Sequence, residues 1–196
     1  MEIKIFFRLL LKRWWLIAIL FVMTVGSVYL LTEWQTPIYS SAVTYVVSPS
    51  SEIMNGTSFL SGLSILGGQP TVANTYAAIA ASEKVKQTTM AALGLNPAQS
   101  KSINIVSRVQ TGTNILEITV EGEDRLLVQA VANQIGLSTI EYILSLKGVY
   151  NLEPLDTATV PESPIRPNKK LNLVLGITLG LVLGIGVAFL TSLNEF

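Results

Sequence analysis

Two long apolar runs stand near the ends of this chain, and between them apolar and polar positions alternate at short periods. The first run, residues 16–31 (LIAILFVMTVGSVYLL), carries no charge; Lys12, Arg13, Trp14 and Trp15 precede it, and Glu33 and Trp34 follow. As a helix, Trp15 to Trp34 spans about 28 Å at 1.5 Å per residue, close to the ~30 Å hydrocarbon core of a bilayer. Tryptophans at both edges fit the aromatic belts of membrane helices. The pattern predicts a transmembrane helix over 16–32, with Arg13, Trp14, Trp15 and Trp34 at the membrane interface. A signal peptide is the competing reading, but its apolar core is usually ~7–15 residues and is followed by a small-residue cleavage site. Here only Ser40-Ser41-Ala42 lies further on.

The second run, residues 171–193 (LNLVLGITLGLVLGIGVAFLTSL), has one Asn and no ionisable group, and predicts a second transmembrane helix. Gly176, Gly180 and Gly184 recur every four residues and so share one helix face. Glycines at that spacing let two backbones approach closely in lipid. The partner is either the first span or a neighbouring subunit; the bland alternative is that glycine is simply common in membrane helices.

Between the spans, residues 39–48 alternate as a strand, through Tyr39, Ser41, Val43, Tyr45 and Val47. Residues 49–70 mix Gly, Ser and Leu without a period and read as a loop or a segment resting on a partner. Residues 71–93 predict a helix with Val72, Tyr76 and Ile79 on one face, a break capped by Ser82, and a stop at Gly94 followed by Pro97. Strands over 102–110 and 114–121 follow, joined by a turn at Gln110-Thr111-Gly112-Thr113. Leu116, Ile118 and Val120 face in; Glu117, Thr119 and Glu121 face out. Asp124 caps a helix running to about Lys147, Gly148 ends it, and a last strand covers 149–157. The order β-α-β-β-α-β predicts a ferredoxin-like sheet with both helices on one face, within an α+β membrane protein. Pro161, Pro164 and Pro167 then repeat at the three-residue period of polyproline II. A linker and a docking motif are alternatives, but a position directly before the second span favours a rigid strut. The expected layout is a basic tail at 1–15, a span at 16–32, a folded domain at 33–160, a strut at 161–170, a span at 171–193 and a tail at 194–196.

Composition narrows the chemistry. Charged residues make up 13% of the chain and hydrophobic ones 49%, with a mean hydropathy of +0.51, against ~25% charged in an average soluble domain. Formal net charge is zero, with 13 basic and 13 acidic residues, so no nucleic-acid footprint is expected. Cysteine and histidine are both absent, which removes thiol nucleophiles, imidazole bases and the usual zinc ligands. No nucleotide-binding or hydrolase motif occurs. Glu117, Glu121, Glu123 and Asp124 are the one carboxylate cluster, and paired carboxylates can cleave glycosides; an exposed strand face and a helix cap account for them better. The Asn55-Gly56-Thr57 tripeptide is formally a glycosylation sequon, of a kind common by chance. No catalytic, cofactor or metal site is expected, and the chain is read as a non-enzyme.

Basic residues set orientation. Lys4, Arg8, Lys12 and Arg13 precede the first span, against Arg166, Lys169 and Lys170 before the second. That thin majority places both termini in the cytoplasm and the middle domain outside.

Taken together, these segments resemble the Wzz, or chain length determinant, family of bacterial polysaccharide co-polymerases. The resemblance runs through the basic tail and first span, the strand at Tyr39–Val47, YAAIAASEKV at 76–85, ILEITV at 115–120, AVAN at 130–133, and ATVPESPIRPNK at 158–169 entering a glycine-rich span. It implies a cytoplasmic (inner) membrane protein that forms ring-like homo-oligomers. Such proteins set the length of a surface polysaccharide beside its polymerase and export machinery, without catalysis of their own. The short middle domain looks like the capsule and exopolysaccharide branch, whose members work with a cytoplasmic tyrosine kinase. The sequence ends at Asn194-Glu195-Phe196 without a Walker motif, so that kinase is a separate polypeptide or lies beyond the sequence given. The alternative function is a membrane adaptor that recruits and activates the kinase.

Overall fold

A computed structural model of the chain describes residues 13–49, 71–146 and 150–193. The expectations placed on the tail before Arg13, on the segment 50–70 with its Asn55 tripeptide, on the Gly148 stop and on residues 194–196 lie outside these. In chain order the elements are α1 (Trp14–Trp34), β1 (Tyr39–Pro49), α2 (71–80), α3 (Glu83–Ala92), α4 (Pro97–Lys101), β2 (Asn104–Val109), β3 (Ile115–Gly122), α5 (Arg125–Ser145), β4 (Tyr150–Asp156) and α6 (Lys169–Leu193). They form two compact units: Ile38–Ile165, and the chain up to Pro37 together with the chain from Arg166.

The first unit is built on a four-stranded sheet in the order β2-β3-β1-β4, antiparallel at every pairing. Strict alternation explains its two faces. Val43, Tyr45 and Val47 of β1 are buried beside Leu116, Ile118 and Val120 of β3, with Val43 opposite Ile118 and Tyr45 opposite Leu116. Helix α5 packs against β1, β3 and α3, burying Val128, Val131, Ala132 and Ile135 completely. The other face is polar: Thr44 donates to Asp156 at 2.7 Å, Ser48 to Glu153 at 2.7 Å, and Asn104 to Glu121 at 3.4 Å. One oily and one wet face is what an antiparallel sheet with helices on one side requires.

Local chemistry sets the joints. Ser82 Oγ accepts the Val85 N–H at 3.4 Å, separating α2 from α3. Gly94, at φ 63°, ends α3 in the left-handed region that glycine occupies without strain. Asp124 Oδ1 accepts the N–H groups of Leu126 and Leu127 at 2.9 and 3.2 Å, capping α5. Two features depart from the sequence reading. Pro97–Lys101 forms a short helix, started by a reciprocal pair in which Asn96 accepts from the Gln99 N–H and Gln99 accepts from the Asn96 N–H. The buried face of α2 is made chiefly by Ala73, Tyr76, Ala77 and Ala80, whereas Val72 and Ile79 are only partly covered.

The chain returns from β4 along α5. Ala158 N–H donates to Asn133 Oδ1 at 3.0 Å, and the Ala158 carbonyl accepts from Gln129 and Asn133 at 3.2 and 3.3 Å. Ser41 donates to the Thr159 carbonyl at 2.7 Å, Arg125 Nε to the Pro161 carbonyl at 2.8 Å, and Ile165 N–H to the Ile38 carbonyl at 2.8 Å. The last bond ties the exit of the unit to its entrance.

Two predictions follow from the core. A Cβ added at Gly136 would overlap the Tyr45 hydroxyl and stand 2.5 Å from its Cζ, against a rigid ring with no room to retreat. Gly136→Ala gains helix propensity of about 1 kcal/mol but overpacks by roughly 1–3 kcal/mol or more, so the full chain in detergent melts several degrees lower by near-UV circular dichroism. An unchanged melt would show that the ring moves freely. Burial also raises the Tyr45 and Tyr76 hydroxyl pKa above the ordinary 10.0. The folded state therefore holds these protons more tightly than the unfolded one. Their stabilisation is complete below pH ~10 and is lost as pH rises beyond it. A denaturation midpoint that is flat from pH 7 to 9 and falls above 10, less steeply in Tyr45→Phe, is the expected profile.

Candidate functional site

No cluster with the makings of a catalytic centre emerges around the predicted carboxylates. Glu117 sits in register with Arg108 and Thr44 on the polar sheet face, Glu121 accepts from Asn104, and Asp124 serves as the α5 cap. Among the described residues no group of three His, Cys, Asp or Glu side chains is placed to hold a metal ion. The residues that the sequence singled out gather instead in the helical unit.

There α1 and α6 run antiparallel, and the glycines of α6 face α1. A Cβ at Gly176 would lie 3.2 Å from Val28 Cβ; one at Gly180, 3.3 Å from Phe21 Cα and 3.4 Å from Thr24 Cβ; one at Gly184, 2.9 Å from Ile17 Cγ2 and 3.2 Å from Ile17 Cα. Two of these neighbours are backbone atoms, so the helices touch at main-chain level where side chains are missing. Every fourth residue of α6 is buried from Gly176 on, and the series continues to Ala188, 4% exposed. Ala188 belongs to the stripe although a search for glycine passes over it; small size at i+4 was the signal. Gly186 and Gly26 have nothing within 4 Å of an added Cβ and lie off the contact.

The opposing surface of α1 is Ile17, Phe21, Thr24 and Val28, at helical spacings of four, three and four. Thr24 fits there because its hydroxyl is already spent on the Leu20 carbonyl at 2.8 Å. Polar contacts close one end of the pair. Thr32 is buried and donates to the Val28 carbonyl at 2.7 Å, while Asn172 donates to Thr32 Oγ1 at 3.2 Å. Beyond them Lys169 Nζ meets Glu33 Oε1 at 2.7 Å, an exposed pair of the kind worth about 0–1 kcal/mol.

Trp14, Trp15 and Trp34 are all exposed at the ends of α1, and Arg13 lends its carbonyl to the first turn, accepting from Leu16 and Ile17. Pro161 is half-buried with its carbonyl held by Arg125, Pro164 is exposed and Pro167 half-buried. The folded unit thus runs on to Ile165, through the first two prolines of the segment read as a strut. The outward sides of both helices are apolar and uncovered, for example Val22, Met23 and Leu30 on α1 and Val174, Leu175 and Val182 on α6.

Comparison with known proteins adds two findings. Residues 141–193, from the end of α5 through β4 and the prolines into α6, match the family model described as "G-rich domain on putative tyrosine kinase". The chain is also similar to the capsular polysaccharide biosynthesis protein CpsC of Streptococcus agalactiae and to its counterpart in the serotype Ia strain A909. Each is 27% identical over 188 residues, covering 91% of this chain and 79% of the relative. Both findings support the resemblance to the chain length determinant family.

The stripe predicts its own disruption. Because the chain has no cysteine, Thr32→Cys with Asn172→Cys reports the closed end of the helix pair through a short thiol cross-linker. Gly180→Leu places a branched side chain against Phe21 backbone and should cut cross-link yield several-fold; an undiminished yield would show that α6 tolerates bulk on this face.

Proposed function

We propose that this chain, as a relative of the capsule protein CpsC within the chain length determinant family, is a non-enzymatic polysaccharide co-polymerase. It acts in the cytoplasmic membrane of a bacterium. In this reading α1 and α6 cross the bilayer, both termini are cytoplasmic, and the Ile38–Ile165 unit stands outside. That unit is a ferredoxin-like βαββαβ domain, a reading the strand order β4-β1-β3-β2 supports. Similarity to CpsC over 91% of the chain carries the proposal. The helix pair supports it physically. Its inner seam is satisfied by glycine packing, while its outer surface is apolar all round, a distribution suited to hydrocarbon and costly in water. No charge lies inside either run, so the pair is read as an anchor rather than an ion path.

The protein would act as a homo-oligomer beside the polymerase and export machinery, limiting how far a capsular or related surface polysaccharide grows. Recruitment of a separate cytoplasmic tyrosine kinase is the second reading, favoured by the family matched at 141–193. Deletion of the gene in the source bacterium, with complementation, is expected to shift or broaden the polymer length distribution on gel electrophoresis. Unaltered polymer would sink the co-polymerase reading. Capture of a kinase by the full chain in detergent, with altered phosphorylation in the deletion strain, would instead favour the adaptor.

A further inference from the structure

Two surfaces of the sheet unit combine apolar residues with charge of opposite sign. Helix α5 is buried on nearly every side, yet its outward line carries Leu126, Leu137 and Leu144 at 67%, 53% and 60% exposure. Their separations of eleven and seven residues are about three and two helical turns, so they form one stripe. Ala130 and Glu141 fill the same line, and Glu141 is exposed. Within the sheet unit, three leucines aligned on a solvent-facing helix surface are a concentration that an isolated exposed residue such as Leu155 does not match.

On other elements, and sharing no residue with this stripe, an open groove of about 550 Å³ lies between α3, α4 and the start of β2. Met90, Ala91 and Ile103 line its apolar floor, and Lys86 and Lys101 stand in its wall with Glu83 as the single acid. Two lysines against one carboxylate, which also accepts from Gln87 Nε2 at 3.2 Å, leave the rim an excess of one positive charge. The stripe therefore offers an apolar ridge with one negative charge, and the groove an apolar trough with excess positive charge.

We propose that a second copy of this chain occupies the groove, Leu137 at the middle of its α5 stripe entering it and its Glu141 meeting Lys86 or Lys101. Ridge and trough are different surfaces, so the contact is heterologous. Each copy keeps a free ridge and a free groove, and assembly continues until a ring closes. The inference rests on the homo-oligomer reading above and specifies which surfaces make it.

The test uses the full chain in detergent. Wild type is expected well above the 21.2 kDa of one chain by light scattering, and Leu137→Glu and Ala91→Glu, both at exposed positions, are each expected to fall to single chains. Mixed, these two variants offer one intact groove and one intact ridge between them, so they should recover dimers and stop there. In the cysteine-free background, Leu137→Cys and Ala91→Cys chains should cross-link when mixed and not when alone. Cross-linking of Leu137→Cys with itself, or full-size oligomers in both Glu variants, would overturn the proposed surfaces while leaving the oligomer standing. A wild type that is itself a single chain would overturn both.

Discussion

Two helices come into main-chain contact only where side chains are absent, and that restriction organises this protein. With Gly176, Gly180 and Gly184 turned toward Ile17, Phe21, Thr24 and Val28, α1 and α6 are held antiparallel along most of their length. Antiparallel pairing forces the chain to leave and re-enter at one end of the pair, where Thr32, Asn172, Glu33 and Lys169 form the polar closure. Whatever lies between residues 34 and 169 must then be a closed excursion. The sheet unit, taken by itself, meets that condition: β1 enters at its centre, and the returning segment is bonded to α5 and finally back to Ile38.

Within the sheet unit the same economy appears at Gly136. An aromatic ring on the central strand needs depth, and the adjacent helix provides it by omitting a side chain. Tyr45 can be large because Gly136 is not. On the polar face hydrogen bonds run between neighbouring strands, as from Thr44 to Asp156 and from Ser48 to Glu153, although the buried Thr119 hydroxyl has no partner among the described residues, and the edge strand β4 tolerates Pro154 where a central strand would not.

How legible was this in the sequence? Period-two alternation announced β3 to within a residue, because Leu116, Ile118 and Val120 are separated by Glu117 and Thr119. Gly94 and Asp124 announced helix ends because their roles depend on a backbone angle and a side-chain acceptor that few residues supply. The α2 face read from Val72, Tyr76 and Ile79 does pack on the core, but among its most buried positions are Ala73, Ala77 and Ala80, small residues that hydrophobicity alone does not pick out. The Asn96–Gln99 pair was hidden by Pro97, read as the follower of the Gly94 stop when it also suits a helix's first turn. At the helix pair, glycine spacing disclosed the face but not its partner. Naming α1 required knowing which of its faces meets α6, and that depends on the crossing geometry.

Among the described residues, the surfaces differ in how far their groups are already satisfied. The helical seam is satisfied internally, so it leaves nothing for a partner on that side. On the sheet's polar face Asp156, Glu153 and Glu121 are hydrogen-bonded to their neighbours. Within the sheet unit, the apolar surface left uncovered includes the leucine line on α5. A helix already buried on its other sides gains no stability from exposing three leucines to water. Their retention is explained when a complementary surface covers them, and the structure carries one, of matching character and opposite charge, on every copy of itself.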